Sequence, residues 1–188
     1  MEKIFYIKNM VCDRCIKVLA DELKDKNIDL LEIELGRIIL NIQDTEYKQT
    51  LISILDKNGF SLIESPENQL VEQVKVELIK LLKNLPLDIN RKLSTYLEDK
   101  LNSEYSKTSK LFSVTEDITI KKYFIKLKIE KVKELIQNQE YNFTEISQIL
   151  NYSNLNHLSR QFKIETGMSL SSYKLQQIND RTSLDRII

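Results

Sequence analysis

The sequence predicts an α+β protein, a small sheet-and-helix unit followed by an all-helical region. Three observations carry that expectation. Short apolar runs and strict alternation mark strands within residues 1–66 of the 188. Beyond residue 66, apolar positions recur every three or four residues, the period of a buried helix face. The second half also repeats itself at a fixed offset, which identifies a duplicated helical unit.

Taken in order, Ile4 to Ile7 is a short apolar strand, and Ile16, Leu19, Ala20 and Leu23 then recur at helical spacing. Two alternating runs follow, Leu31, Ile33, Leu35 and Ile38, Leu40, Ile42, with a tight turn expected at Gly36-Arg37. A second helix carries Leu51, Ile54 and Leu55 and stops at Asn58-Gly59, where Gly59 can take the left-handed conformation of a C-terminal cap. Phe60 to Ile63 is a fourth strand. The order β-α-β-β-α-β is the split unit of ferredoxin-like folds.

Pro66 closes this unit, and Leu70, Val74, Leu78, Leu81 and Leu85 then follow helical spacing until Pro86. Such a stripe suits a helix docked on a neighbouring domain, or a dimer interface. The predicted organisation is therefore 1–66, a connecting helix at 67–89, a helical domain at 90–176 and a tail at 177–188.

The repeat is read by setting Phe112-SVTED-Ile118-Thr119-Ile120-KK-Tyr123 against Phe162-KIETG-Met168-Ser169-Leu170-SS-Tyr173, 50 residues apart without a gap. Upstream of each Phe lies a turn, Leu101-Asn102-Ser103 and Leu150-Asn151-Tyr152-Ser153. Asn tolerates positive φ, and a Ser just beyond can cap the next helix. Each copy thus reads as helix, tight turn, helix, with a short closing helix. In the second copy, Asn142 and Glu145 have the spacing of a capping box. Ile146, Ile149, Leu150, Leu155, Leu158 and Phe162 form the apolar side, leaving Asn156, His157, Ser159, Arg160 and Lys163 on the solvent side. Between the copies, Thr119 to Asn138 carries one apolar face early (Ile120, Tyr123, Phe124, Leu127) and another late (Ile125, Ile129, Val132, Ile136). A helix of that kind bridges two packed subdomains, and could hold them for successive major-groove segments roughly 34 Å apart.

Composition narrows the function. Lys plus Arg balance Asp plus Glu at 28 each, yet residues 1–66 carry a net of −3 and residues 90–188 a net of +4, which points the C-terminal half toward a polyanion. No apolar run approaches the roughly 20 residues of a membrane helix. MEKIFYIKN carries an acidic residue and no small-residue cleavage site, so a cytoplasmic protein without a membrane partner is expected. His157 is the single histidine, there is no glycine-rich phosphate loop, and no Ser, His and acid set can be placed on one face; no enzymatic activity is expected.

Two stretches carry resemblances. "NMVCDRC", Asn9 to Cys15, at the end of the first strand and "KNGF" before the fourth resemble the heavy-metal-associated domain, whose signature Met-x-Cys-x-x-Cys is here Met10-Val11-Cys12-Asp13-Arg14-Cys15. A thiolate from a loop and another from the first helical turn suit Cu(I) or Zn(II), and a helix N-terminus lowers thiol pKa values. Candidate ligands are Cys12 and Cys15, with Met10 third. Asn9 replaces the usual Gly, Asp13-Arg14 the usual small residues, and Val11 the carboxylate of zinc-type relatives, which tilts a metal reading to Cu(I). Three uses of the pair stay open: metal binding, a disulfide switch under oxidation, and thiols retained on an interaction domain. A metal-donor protein is the corresponding partner.

Residues 126–174, with "HLSRQFK" and "TGMSLSSY" in order, resemble the second half of the AraC/XylS-type regulator domain of bacteria, and residues 91–125 its first half. The resemblance implies a monomeric DNA-binding unit of two helix-turn-helix subdomains that regulates transcription; the expected partner is double-stranded DNA, with the chain as monomer or homodimer. By position, its reading face maps onto Asn156, His157 and Arg160 in the second copy and onto Ser106, Lys107, Ser109 and Lys110 in the first. Leu170 stands where the family usually has Pro, Asn151 where it has Gly, and Thr108 where a Leu anchors the first reading helix. The expected function is a sequence-specific transcriptional regulator sensing metal or thiol state. The alternative is a soluble metal carrier or adaptor whose helical half makes protein contacts.

Overall fold

A computed structural model describes residues 1–42, 47–87, 92–176 and 180–187. The chain divides into two compact units, Met1–Val76 and Glu77–Ile188. The expected boundary at residues 89 and 90, and the start of the tail at 177, lie outside the described residues.

In the first unit the order is β1 (Glu2–Lys8), α1 (Asp13–Asp25), β2 (Leu30–Glu34), β3 (Arg37–Asn41), α2 (Tyr47–Lys57) and β4 (Ser61–Ile63). The strands form one antiparallel sheet in the order β2-β3-β1-β4. Strand β3 sits between β2 and β1, which gives the split β-α-β arrangement expected from the sequence. Alternation places Phe5 and Ile7 of β1 and Ile38 and Leu40 of β3 on one side, where they pack with Leu19 and Leu23 of α1 and Leu51, Ile54 and Leu55 of α2. Full burial of each such side chain contributes roughly 1.5–3 kcal/mol. This layer fixes the position of the loop between β1 and α1.

Two local expectations are corrected. Strand β2 bulges, since Leu30 pairs with Leu40 while Glu32 pairs with Ile39, so Leu31 turns to solvent at 47% exposure and the alternation breaks there. The hairpin turns on Leu35-Gly36, not Gly36-Arg37, because β3 begins at Arg37 and Gly36 takes the positive φ of 71°. Gly59 takes φ 75° after α2, as its position implied.

Helix α3 (Pro66–Lys83) begins with proline at its first position, and Ser65 Oγ accepts the Asn68 amide. The division between units falls within this helix. Its burial is wider than one stripe, taking in Val71, Val76, Ile79 and Leu82 besides Val74 and Leu78.

The second unit continues with α4 (Leu93–Leu101), α5 (Tyr105–Glu116), α6 (Ile120–Asn138), α7 (Phe143–Ile149), α8 (Leu155–Thr166) and α9 (Leu170–Gln176), then a single 3-10 turn at Leu184–Arg186. The duplication is physical. Phe112 meets Tyr123 in a tilted contact with ring centroids 5.6 Å apart, and Phe162 meets Tyr173 edge-on at 5.5 Å. Thr119 caps α6 through the Lys122 amide, and Ser169 caps α9 through the Ser172 amide. Asp117 and Gly167 both take positive φ after their helices. Each of these pairs is separated by 50 residues.

Helix α6 runs 19 residues, about 28 Å at 1.5 Å per residue. Its early face buries Ile120, Tyr123, Phe124 and Leu127, and its late face Ile129, Val132 and Ile136, while Ile125 is half-buried. The helix also holds a buried ion pair, Lys133 Nζ to Glu130 Oε1 at 2.9 Å. The segment 180–187 lies along this helix: the Thr182 amide donates to Glu130 Oε2, Lys133 Nζ to the Asp180 carbonyl, and Lys126 Nζ to the Ile187 carbonyl. Among the described residues no helix is long and apolar enough to cross a membrane.

Candidate nucleic-acid interface and the Cys12–Cys15 pair

Asn102 and Asn151 take φ values of 48° and 53° at the two tight turns, the left-handed conformation that asparagine tolerates better than most residues. Asn151 thereby serves where the resemblance expects glycine. Upstream of the second turn, Asn142 Oδ1 accepts the Glu145 amide at 3.0 Å while Glu145 Oε2 accepts the Asn142 amide at 2.7 Å, so the capping box is complete.

Helix starts differ from the expectation that Ser103 and Ser153 cap them. Asn154 caps α8, accepting the His157 amide at 2.9 Å, while Ser153 Oγ meets His157 Nδ1 at 3.2 Å. Helix α5 starts after Glu104 with no side-chain cap bond. Its first amide, Tyr105, donates to Glu98 Oε1, and Glu104 Oε1 accepts from Ser106 Oγ. Two carboxylates therefore stand at the start of α5, and an uncharged amide side chain stands at the start of α8.

On α8, Leu158 and Phe162 are fully buried. That anchoring presents Asn156, His157, Arg160 and Lys163 to solvent, with Ser159 half-buried. On α5, Thr108 and Phe112 face inward; Ser106, Lys107 and Lys110 are exposed and Ser109 is half-buried. Thr108 is 2% exposed, and its hydroxyl lies 3.1 Å from both the Glu104 carbonyl and Ser103 Oγ. A polar contact thus replaces the apolar anchor of the other copy. Arg160, Lys163, Lys107 and Lys110 make no ion pair among the described residues, whereas Lys122 of α6 is paired with Glu165 of α8 at 2.6 Å.

One contact had no signal in the sequence. Lys128 of α6 stands over the ring of Tyr152, in the turn before α8. Tyr152 in turn meets the His157 ring edge-on at 5.5 Å, so the bridging helix packs on the turn that leads into α8.

In the first unit, Cys12 is the N-cap of α1 and Cys15 is the third residue of the helix. That spacing brings their side chains together over the first turn, with Sγ atoms 2.9 Å apart. Both thiols are free and half-buried. Asn9 takes φ 70°, donating its amide to Glu72 Oε1 and its side chain to the Gly59 carbonyl; it performs the turn for which a glycine is usual. Met10 is fully buried in the sheet-and-helix core. The expected lowering of thiol pKa does not hold for Cys15. Burial pushes it up and the hydrogen bond with Cys12 adds to that, against backbone bonds from Val11 and Cys12. No cluster of three or more His, Cys, Asp or Glu ligands occurs among the described residues. Two thiols alone suit a soft, low-coordinate ion such as Cu(I) better than the four-ligand site Zn(II) prefers.

Comparison with known proteins concerns the helical half. Residues 97–176 match the model of the family described as "Helix-turn-helix domain". The chain is similar in structure to the C-terminal domain of AraT, a response regulator from Geobacillus stearothermophilus, at 21% identity and a TM-score of 0.51, over 63% of this chain and 93% of that one. It is also similar to a transcriptional regulator from Chromobacterium violaceum, described among AraC-type DNA-binding domain-containing proteins, at 13% identity and a TM-score of 0.51, over 62% of this chain and 99% of that one. No curated protein matches the sequence. The chain thus carries a match to a helix-turn-helix model over residues 97–176 and shares its helical fold with these two structures.

Proposed function

We propose that this protein is a sequence-specific DNA-binding transcriptional regulator whose principal reading element is α8. The observation that carries the reading is the exposed stripe of Asn156, His157 and Arg160 on a helix anchored by Leu158 and Phe162 and capped by Asn154. An arginine can take guanine O6 and N7 bidentately, an asparagine can take adenine N6 and N7, and Ser159 and Lys163 reach phosphates at the groove edge. Arg160 carries no competing ion pair among the described residues, so no intramolecular partner must be displaced before it meets a base.

The first copy has the same layout with a weaker reading chemistry. Ser106, Lys107, Ser109 and Lys110 suit phosphate and loose base contact, and Glu98 and Glu104 occupy the helix start where a phosphate would otherwise sit. A net charge of +4 over the helical half makes binding steeply salt-dependent and reliant on specific contacts. Selection of duplexes from a random pool by the full chain tests the reading. A single enriched motif retained at physiological salt is expected; indiscriminate retention that disappears with salt would reduce the stripe to a non-specific surface.

A second reading concerns the Cys12–Cys15 pair, favoured by the meeting of two free sulfurs at one helix turn. It makes the N-terminal unit a sensor of a soft metal ion or of thiol state, with Cys12 and Cys15 as ligands and Met10 holding the loop from the core. A bound ion would displace the thiol protons and require the sulfurs to separate to roughly 4 Å or more, given metal–sulfur bonds near 2.3 Å. Intact mass after Cu(I) or Zn(II) loading, and again after peroxide, separates metal binding, disulfide formation and inert thiols.

A further inference from the structure

Two large apolar side chains stand in the open on the reading helices, Val114 at 77% exposure on α5 and Ile164 at 70% on α8. Isolated exposed apolar residues are ordinary on protein surfaces. These two occupy equivalent positions, 50 residues apart in the gapless register of the duplication. They also share a helical phase with the proposed contacts. At 100° per residue, Ile164 lies 40° from Arg160 and 20° from His157, and Val114 stands in the same relation to Lys110 and Lys107. The stripe from Asn156 to Ile164 spans about 12 Å, comparable to the major-groove width.

The occupant follows from that setting. Lys107 and Lys110 beside Val114, and Arg160 and Lys163 beside Ile164, favour a polyanion over an apolar protein surface. Within the major groove the exposed apolar group is the thymine C5-methyl. We propose that Val114 and Ile164 are specificity-determining residues that each cover a thymine methyl group, one in each half of the bound site. Water leaves both apolar surfaces on contact, and cytosine, lacking the methyl, offers nothing in return. This inference rests on the DNA-binding reading above and adds a base preference that the polar residues do not supply.

Deoxyuridine removes the methyl while leaving every Watson–Crick and groove hydrogen-bonding group in place. Titration of the full chain against its selected duplex, with each thymine replaced singly by deoxyuridine, should find one position per half-site, about 10 base pairs apart, where affinity falls about three- to fivefold. Ile164→Ala should bind the thymine duplex that much more weakly and lose nothing further at its own uracil position; Val114→Ala should do the same at the other. Both side chains are exposed, so unchanged thermal melting serves as the control for folding. If the selected duplex binds but no uracil position matters, or if the effect persists in the alanine variants, the methyl-reading assignment is overturned while the regulator reading stands. If no duplex is retained by the full chain, the regulator reading fails and this assignment with it. A change of oligomeric state in the variants without any uracil effect would assign the patch to a second copy of the chain and overturn the proposal.

Discussion

Lys128 Nζ stands 3.7 Å from the centroid of the Tyr152 ring, a cation set over a buried aromatic whose hydroxyl has no hydrogen-bond partner among the described residues. Burial lowers the Lys128 pKa from 10.5 to about 8. The ring's attraction for the cation, up to about 2 kcal/mol when desolvated, works against that lowering. Burial, aided by Glu165, raises the Tyr152 hydroxyl. Between pH 8 and 10 the unfolded chain holds the Lys128 proton more tightly than the folded one, so this group makes stability rise with pH; below pH 8 the full desolvation cost is present. Above pH 10 the slope from Tyr152 has the opposite sign, because the folded state keeps that proton. Lys128→Met retains the packed stem and removes the charge. It should flatten the rise from pH 8 to 9.5 and raise stability at pH 7 by on the order of 1 kcal/mol. Denaturant midpoints across that range check this, and an unchanged pH curve would mean that the lysine is not desolvated.

Gly36 is constrained twice, by its φ of 71° and by Val76, whose Cγ2 would lie 2.8 Å from an added Cβ. Gly36→Ala should therefore cost about 1–2 kcal/mol for the left-handed backbone and a further 1–3 kcal/mol for overpacking. Val76→Ala in the same chain should recover only the second part. A double-mutant cycle in urea measures the split, and strict additivity would show that the hairpin moves away from α3 at no cost.

Glu130 and Lys133, paired at 2.9 Å with side chains 7% and 8% exposed, together hold the Thr182 amide and the Asp180 carbonyl. Lys133→Met alone strands a buried carboxylate and should cost about 3–5 kcal/mol, whereas Glu130→Gln with Lys133→Met should recover most of it. The single variant should also release the segment 180–187 to proteolysis before the rest of the unit. Simultaneous cleavage throughout would show that the segment is not held by this pair.

The legible parts of the fold were those governed by neighbours close in the chain. Alternation located the strands, three-and-four spacing the helices, and the Asn142–Glu145 and Gly59 signals their ends. Residues joined by tertiary packing were not legible. Leu31 leaves the core because β2 gains a residue against β3, and nothing in the run Leu31, Ile33, Leu35 records that. Glu130 and Lys133 have the spacing of a solvated helix pair, and nothing in that spacing records that they are buried and bonded to the segment 180–187. The exposed stripe on α8 follows from the spacing of Leu155, Leu158 and Phe162, but the cap is Asn154 and not Ser153, a choice the sequence leaves open because both are able acceptors. The raised Cys15 pKa is not legible in the sequence, because burial, which opposes the helix N-terminus, depends on the whole unit.

Substitution of Arg160 tests base reading against simple charge. Its guanidinium is exposed and unpaired among the described residues, at the centre of the α8 stripe. Arg160→Ala should cost about 1–3 kcal/mol on the selected duplex and relax preference at one base pair, with a much smaller loss on unrelated DNA. Lys110→Ala, at the equivalent place in the first copy, should weaken both kinds of duplex alike and reduce the slope of log affinity against log salt by about 1. The contrast follows from side-chain chemistry, because a planar fork matches the guanine edge whereas a flexible ammonium acts as a point charge suited to phosphate. Anisotropy titrations of both variants at several salt concentrations provide the measurement. If Arg160→Ala behaved like Lys110→Ala, with equal losses on all sequences, α8 would be a phosphate clamp and the base-reading role would have to move elsewhere in the domain.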